Sequence, residues 1–416
     1  MTAPPERVQP GARPVSAGSP RTAERLAHRP GPPVEPVRRP VRRHEAGGWP
    51  EVSDPGLAAV REKLEAGERL GPQDGLILHE TRDLLGLGRL AAAANERRNG
   101  DRVSFVLNKH INPTNRCVAF CDLCAFGVHP TKSPDAYTLR IDEIVRQVEG
   151  LRELGVTEVH MVGGMVRDVA LDFFLELLPR MRAAHPGLHI KAFTAVEIDT
   201  YARWAKLPHA EVLNRLVDAG LGSMPGGGAE IFDPEIRRIL CDHKCDADTW
   251  LGVHRTAHGL GLRSNATMLY GHVEEPRHRV DHLLRLRALQ DETGGFMAFI
   301  PLAFHPENTR LARRFGLRGG TTGFDDLKSV AAARLLLDHV DHVKAYWIMM
   351  SPATAQVALS FGANDLDGTV VEEKIVHVAG ATSPQLLPER EIVRLVKAAG
   401  KTPVRRDTLY DVVQTY

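Results

Sequence analysis

The sequence predicts an α/β protein in which eight short strands alternate with amphipathic helices, the pattern of a parallel (β/α)8 barrel. Three observations carry that reading. After Gly100 the chain becomes a succession of short apolar runs separated by longer segments of helical periodicity. The stretch from 101 to 416 exceeds the roughly 250 residues that such a barrel needs. No GxGxxG follows the first strand, so the commonest signature of a dinucleotide-binding open sheet is missing. Alternation alone does not demonstrate closure, and a doubly wound open sheet shares it. No internal repeat is evident.

The strands are expected at 103–111, 158–162, 189–198, 222–225, 264–270, 296–304, 343–349 and 368–371. Helices are expected between them, at 141–154, 171–184, 210–219, 250–260, 279–292, 324–337 and 353–361, with a C-terminal helix at 389–399. Before the barrel, residues 51–100 read as a helical lead-in. Leu57, Val60 and Leu64 recur at helical spacing, and Asp74 is placed to cap a second helix near Gly75. Residues 1–50 hold eleven prolines, nine arginines and four acids, with almost no large apolar side chain. Runs such as Pro30-Gly31-Pro32-Pro33 suit neither helix nor strand, so this segment is expected to be a disordered basic tail.

Composition narrows the function classes. The chain is 43% hydrophobic and 25% charged, with a net charge of +1, as in ordinary globular proteins. The tail carries +5 and the remaining 366 residues −4, so the body offers no basic surface excess pointing to nucleic acid. No run of eighteen apolar residues suggests a membrane span. Arg38-Arg39 is followed by no apolar segment, which argues against export and for a cytoplasmic protein. There are five cysteines, and Cys117, Cys121 and Cys124 lie within eight residues. In a reducing compartment such clustering points to metal before disulfides.

The run Asn112-Pro113-Thr114-Asn115-Arg116-Cys117-Val118-Ala119-Phe120-Cys121-Asp122-Leu123-Cys124 directly follows the first strand, on the rim where barrels put their chemistry. Three thiolates hold three corners of an iron–sulfur cube and leave the fourth iron open to a small molecule. Zinc or buried core thiols are the alternatives. Structural zinc takes four ligands from paired units, and no matching second pair is obvious. Cys241 and Cys245 form a further Cys-x3-Cys, read as ordinary helix or loop cysteines.

The Cys-x3-Cys-x2-Cys loop resembles that of the radical S-adenosylmethionine (SAM) superfamily. The chain from about 55 to 416 is similar to the aminofutalosine synthase family of menaquinone biosynthesis. The resemblance rests on Asp135-Ala136-Tyr137-Thr138-Leu139, Lys191–Ile198, Pro225–Phe232, Asn265–His272, Leu289–Phe296, Phe299–Asn308 and Asp365–Ile375. It implies a TIM-type radical SAM barrel, a 4Fe-4S cluster on Cys117, Cys121 and Cys124, and SAM as co-substrate. It also implies a low-potential electron donor such as flavodoxin or ferredoxin, with neither nucleic acid nor membrane as partner. Two departures stand out. Leu123 occupies a position where family members carry an aromatic residue, and Met165-Val166-Arg167 replaces a Leu-His-Pro.

By the same resemblance Gly163 and Gly164, after the second strand, meet the amino group of SAM. Glu197 and Glu230 lie on the rim, suited to ribose hydroxyls or an ammonium. The family's small-molecule substrate, 3-(1-carboxyvinyloxy)benzoate, carries two carboxylates, for which Arg167, His272, His305 and Asn308 are the candidates. The implied reaction adds the 5′-deoxyadenosyl radical to the vinyl carbon, with rearrangement and loss of one carboxyl, to give 6-amino-6-deoxyfutalosine. The neighbouring readings are the dehypoxanthine futalosine cyclase and a deazaflavin-cofactor synthase. A non-catalytic iron–sulfur carrier or sensor is the reading from another class.

Overall fold

Asp54 starts the ordered helices: its carboxylate accepts from the Gly56 and Leu57 amides, capping α1 (Pro55–Ala66). The structure, a computed structural model, describes residues 48–370 and 372–416. The disordered tail expected over 1–50 therefore lies, apart from 48–50, outside the described residues. Helix α2 (Pro72–Glu80) starts earlier than expected. Gly71 is its N-cap, and Asp74 sits one turn inside, where its carboxylate accepts from the Gly71 amide at 2.7 Å. A third helix, α3 (Leu84–Asn99), completes the lead-in.

The first barrel strand is two pieces, β1 (Arg102–Val106) and β2 (Asn108–Ile111), separated at Leu107. There follow α4 (Ile141–Glu149), β3 (Glu158–Met161), α5 (Leu171–Ala184), β4 (His189–Ala192), α6 (Ala195–Ala205), α7 (His209–Ala219), α8 (Pro234–Cys241) and α9 (Ala247–Gly259). Then come β5 (Ser264–Tyr270), α10 (Pro276–Thr293), β6 (Phe296–Ala303), α11 (Arg310–Phe315), α12 (Gly323–Leu336) and β7 (His342–Val343). The chain finishes with α13 (Trp347–Met350), α14 (Pro352–Ala358), a 3-10 turn (Leu359–Phe361), β8 (Asp365–Gly368), α15 (Ile375–Ala379), α16 (Glu389–Ala398) and the hairpin β9 (Thr402–Arg406) and β10 (Val412–Thr415).

Closure is real. The parallel ladder runs β2–β3–β4, crosses to Ser223 and Met224 through single bridges from Lys191 and to Ser264, and continues β5–β6–β7. A bridge from Lys344 to Asp365 brings in β8, which pairs with β1. Beside β1, the neighbour's place that β3 takes beside β2 is filled by β9. Among the described residues, no helix is long and apolar enough to cross a membrane.

Several expected boundaries move, each for a local reason. The strand expected over 189–198 stops at Ala192, because Phe193 takes φ 63° and Thr194 caps α6. The one at 222–225 survives only as the bridges at Ser223 and Met224. The one at 343–349 shortens to His342–Val343, since Trp347–Met350 coils into a turn of helix. The one at 368–371 shifts to Asp365–Gly368.

Apolar packing surrounds the barrel: Trp250, Trp347 and Phe299 are fully buried, each worth about 1.5–3 kcal/mol over exposure. The interior is partly ionic. Lys191 Nζ lies 2.5 Å from Glu158 Oε1, Lys344 pairs with Asp367, and Arg406 Nη2 lies 2.7 Å from Asp365 Oδ2, all six side chains buried. Inward charges of this kind persist only when paired, because an unpartnered buried charge is far costlier.

Candidate active site

The cysteine loop leaves the C-terminal end of β2 and is clamped on both flanks. On one side, the Asn112 amide donates to the Val162 carbonyl at 2.9 Å, Gly164 N–H to Thr114 O at 2.7 Å, and Val118 N–H to Met165 O at 3.0 Å. This approach requires glycine. A Cβ on Gly164 would collide with the Arg116 carbonyl, and one on Gly163 would stand 3.0 Å from Thr114 O. On the other side, Tyr137 N–H donates to Asn115 Oδ1 at 2.8 Å, and Asn115 Nδ2 to Asp135 O at 2.9 Å.

The thiols have the environment of cluster ligands. The Cys124 and Cys117 sulfurs lie 3.7 and 3.9 Å from the point a Cβ on Gly127 would occupy, so both converge on one small space. Ala119 N–H points at Cys117 Sγ at 3.4 Å and Gly127 N–H at Cys124 Sγ at 3.3 Å, the amide-to-sulfur bonds that tune iron–sulfur centres. Burial pushes the Cys121 thiol up to about 12 and raises Cys124 too, with the Lys244 ammonium working against both shifts. Ligation must therefore displace protons from these groups. Among the described residues no three His, Cys, Asp or Glu side chains are grouped to hold a single metal ion. A cube of irons spreads its sulfur ligands more widely than one ion does, and three soft donors on one loop fit it. Phe120, within the loop, is held at φ 46°, a conformation that non-glycine residues adopt rarely.

Gly163, Gly164 and Glu197 line one narrow crevice with Pro113, Thr114 and Phe193. Glu197 is on the first turn of α6 rather than at a strand end. Its Oε2 accepts from Thr194 N–H at 2.7 Å and Thr194 Oγ1 at 2.8 Å, closing a capping box. Burial nevertheless pushes its carboxyl up to about 7, although the Thr194 donors and the Gly163 amide favour the ionised form.

Glu230, at φ 48°, is buried and paired 2.6 Å from Lys244 Nζ. Burial opposes its ionisation, but Lys244 prevails and its carboxyl titrates below the ordinary range. Lys244 follows α8, whose last turn is tied to the cysteine loop by Asp122 N–H donating to Leu240 O at 2.9 Å. Cys241 and Cys245 are buried on this segment, and a cavity of about 310 Å³ opens beside it between Phe232, Arg237, Cys241 and Arg285.

The remaining candidates are dispersed. Arg167 is exposed with its guanidinium 5.2 Å from the Trp204 ring centre, while Met165 and Val166 pack into the core. His272 turns back on its own loop: Nε2 is 3.1 Å from Leu269 O and Nδ1 2.8 Å from Glu274 Oε2. His305 Nε2 lies 2.9 Å from Met349 O. Asn308 is exposed and donates to Val378 O at 2.7 Å, joining the loop after β6 to α15.

Two groups escaped the sequence reading. Lys244 carried no signal, since its partner is fourteen positions away. His110, His160 and Lys191 are register neighbours across β2, β3 and β4, with the imidazole centres 4.7 Å apart. Burial lowers both histidines and so favours their neutral form, and His110 Nε2 has no protein partner. Polar side chains at alternating positions of an otherwise apolar strand were the available sign.

Comparison with known proteins bears on all of this. Residues 111–286 match the Radical SAM superfamily, and residues 293–416 match the CofH/MqnC C-terminal region. The chain is 46% identical over 365 residues to the aminodeoxyfutalosine synthase of Thermus thermophilus, covering 88% of this chain and 98% of that one. The enzyme of the same name from Streptomyces coelicolor is 43% identical over 367 residues, 86% and 94% of the two chains. The 5-amino-6-(D-ribitylamino)uracil–L-tyrosine 4-hydroxyphenyl transferase of Methanopyrus kandleri is 38% identical over 366 residues, 87% and 99%. Among solved structures, methylornithine synthase superposes with a TM-score of 0.66 at 19% identity, covering 83% of this chain and 97% of that one, a likeness of fold.

Proposed function

Because this chain belongs to the radical SAM family that carries the CofH/MqnC C-terminal region, we propose that it is an aminodeoxyfutalosine synthase acting on 3-(1-carboxyvinyloxy)benzoate in menaquinone formation. It is a radical SAM enzyme, with a 4Fe-4S cluster and SAM. The observation that carries the finer reading is the 46% identity spanning both matched regions. The cysteine loop at the end of β2 supports the radical SAM chemistry.

When bound, the cluster and SAM supply one-electron chemistry and the adenosyl group that is transferred. Cys117, Cys121 and Cys124 would hold three irons. The backbone groups at the glycine exit of β3 would meet the amino-acid end of SAM, and Glu197 and Glu230 would offer carboxylates to its polar groups. His110 and His160 present polar atoms inside the barrel, suited to hydrogen-bond a carboxylate-bearing aromatic substrate. A flavodoxin or ferredoxin as electron donor and a cytoplasmic setting complete the proposal.

The hydroxyphenyl transferase likeness supplies the second reading. An anaerobic assay decides between them: turnover with the enol-ether benzoate and none with tyrosine plus the ribitylaminouracil is expected. The reverse pattern replaces the synthase reading.

A further inference from the structure

We propose that α11 and the outer face of the cysteine loop form one docking surface for an acidic, low-potential one-electron carrier protein. The inference rests on the cluster reading above and adds where the electron enters.

The helix is fastened to the loop. Leu311 N–H donates to Asp122 O at 2.8 Å, Arg310 donates to the Phe120 carbonyl, and Arg310 Nε and Arg314 Nη1 lie 3.3 and 3.2 Å from the Asp122 carboxylate. Residues three and four apart share a helical face, so Arg313 lies on the same cationic side of α11 as Arg310 and Arg314. Between 307 and 318 there are four arginines (Arg310, Arg313, Arg314, Arg318), all exposed, against the single acid Glu307. The mildly acidic body makes this local excess distinctive.

An apolar patch lies within that rim. Val118 and Phe120, each next to a cluster cysteine in sequence, are 44% and 39% exposed, and Phe315 is 42% exposed. The Phe120 and His129 ring centres lie 5.5 Å apart with the rings tilted by 36°, and the Arg314 guanidinium lies 5.1 Å from the Phe315 ring. Exposed aromatic side chains together with arginines are the composition of a transient protein interface. Cationic rims steer anionic partners and make association sensitive to salt. The carrier's reduced cofactor would lose one electron and the cluster behind Cys117 and Cys121 would gain it, with no bond made or broken.

The test uses the reconstituted full chain and the variant Arg313→Glu/Arg318→Glu, which spares the arginines that hold Asp122. Calorimetric binding of an acidic flavodoxin should weaken at least tenfold. The flavodoxin concentration for half-maximal SAM cleavage should rise by a similar factor, while iron content and dithionite-driven SAM cleavage stay unchanged. Arg313→Lys/Arg318→Lys should bind as the parent does. Unaltered flavodoxin binding overturns the proposal, as does loss of the dithionite-driven reaction, which would make the helix a structural support. Binding of anionic vesicles or an oligonucleotide that the Glu variant loses while its flavodoxin binding is unchanged would overturn it in favour of that partner. A parent protein that binds no iron would instead sink the cluster reading itself.

Discussion

Lys244 Nζ lies 2.6 Å from Glu230 Oε1, and the two charges neutralise each other beside the cysteine loop. The pair joins the loop before α8 to the turn after it, a contact that no sequence pattern announces. Lys244→Met leaves Glu230 buried without a partner, which costs about 3–5 kcal/mol. A lowered urea midpoint is expected for that variant, with substantial recovery in Lys244→Met/Glu230→Gln. An unshifted midpoint in the single variant would show the pair to be more hydrated than its burial implies.

Gly164→Ala should be more damaging than its size suggests, because the added Cβ meets backbone at the Arg116 carbonyl rather than a yielding side chain. The loop would have to withdraw from β3 and lose Gly164 N–H to Thr114 O. Iron content after reconstitution should fall well below that of the parent. Gly252→Ala, where nothing stands within 4 Å, is the control and should be silent.

Cys117, Cys121 and Cys124 should each be indispensable for the cluster. Alanine at any of them should abolish the brown colour and SAM cleavage, whereas Cys245→Ala should retain about four irons per chain. Full iron in Cys121→Ala would contradict the assignment.

Glu197 gives stability a pH dependence whose sign is set by burial. Its folded carboxyl is raised from the ordinary 4.5 to about 7, so between those values the folded chain keeps a proton that the unfolded chain has released. That contribution is full below pH 4.5 and is lost as pH rises through about 7, at most about 3 kcal/mol. Glu197→Gln keeps an acceptor for Thr194 and removes the titration. Chemical unfolding at pH 5 and pH 8 should show a smaller decline for the variant than for the parent. Equal declines would place the titration elsewhere.

The legible parts of the fold were those where local pattern and tertiary burial agree. Ser264–Tyr270 was recovered end to end because all seven side chains are buried. Leu171–Ala184 was recovered because its apolar stripe keeps helical spacing. Helix α6 was lost because Ala195-Val196-Glu197-Ile198 continues a strand as well as it begins a helix; the deciding sign was the Thr194–Glu197 capping box. Helix α8 was announced only by Asp233-Pro234, and α11 only by Thr309. The cysteines and Gly163-Gly164 were readable because their spacing is local. Lys244 and the ionic interior, such as Lys191 on Glu158, depend on contacts between distant strands, and periodicity does not encode those.

The fate of the adenosyl group tests the synthase reading most directly. Anaerobic turnover with adenosine-labelled SAM and 3-(1-carboxyvinyloxy)benzoate, followed by mass spectrometry, should give methionine and a labelled adenine-containing adduct joined by a carbon–carbon bond. Little free 5′-deoxyadenosine should accompany them. Substrate-dependent turnover that leaves the label mainly in 5′-deoxyadenosine would contradict the account and assign the chain to the hydrogen-abstracting branch of its family.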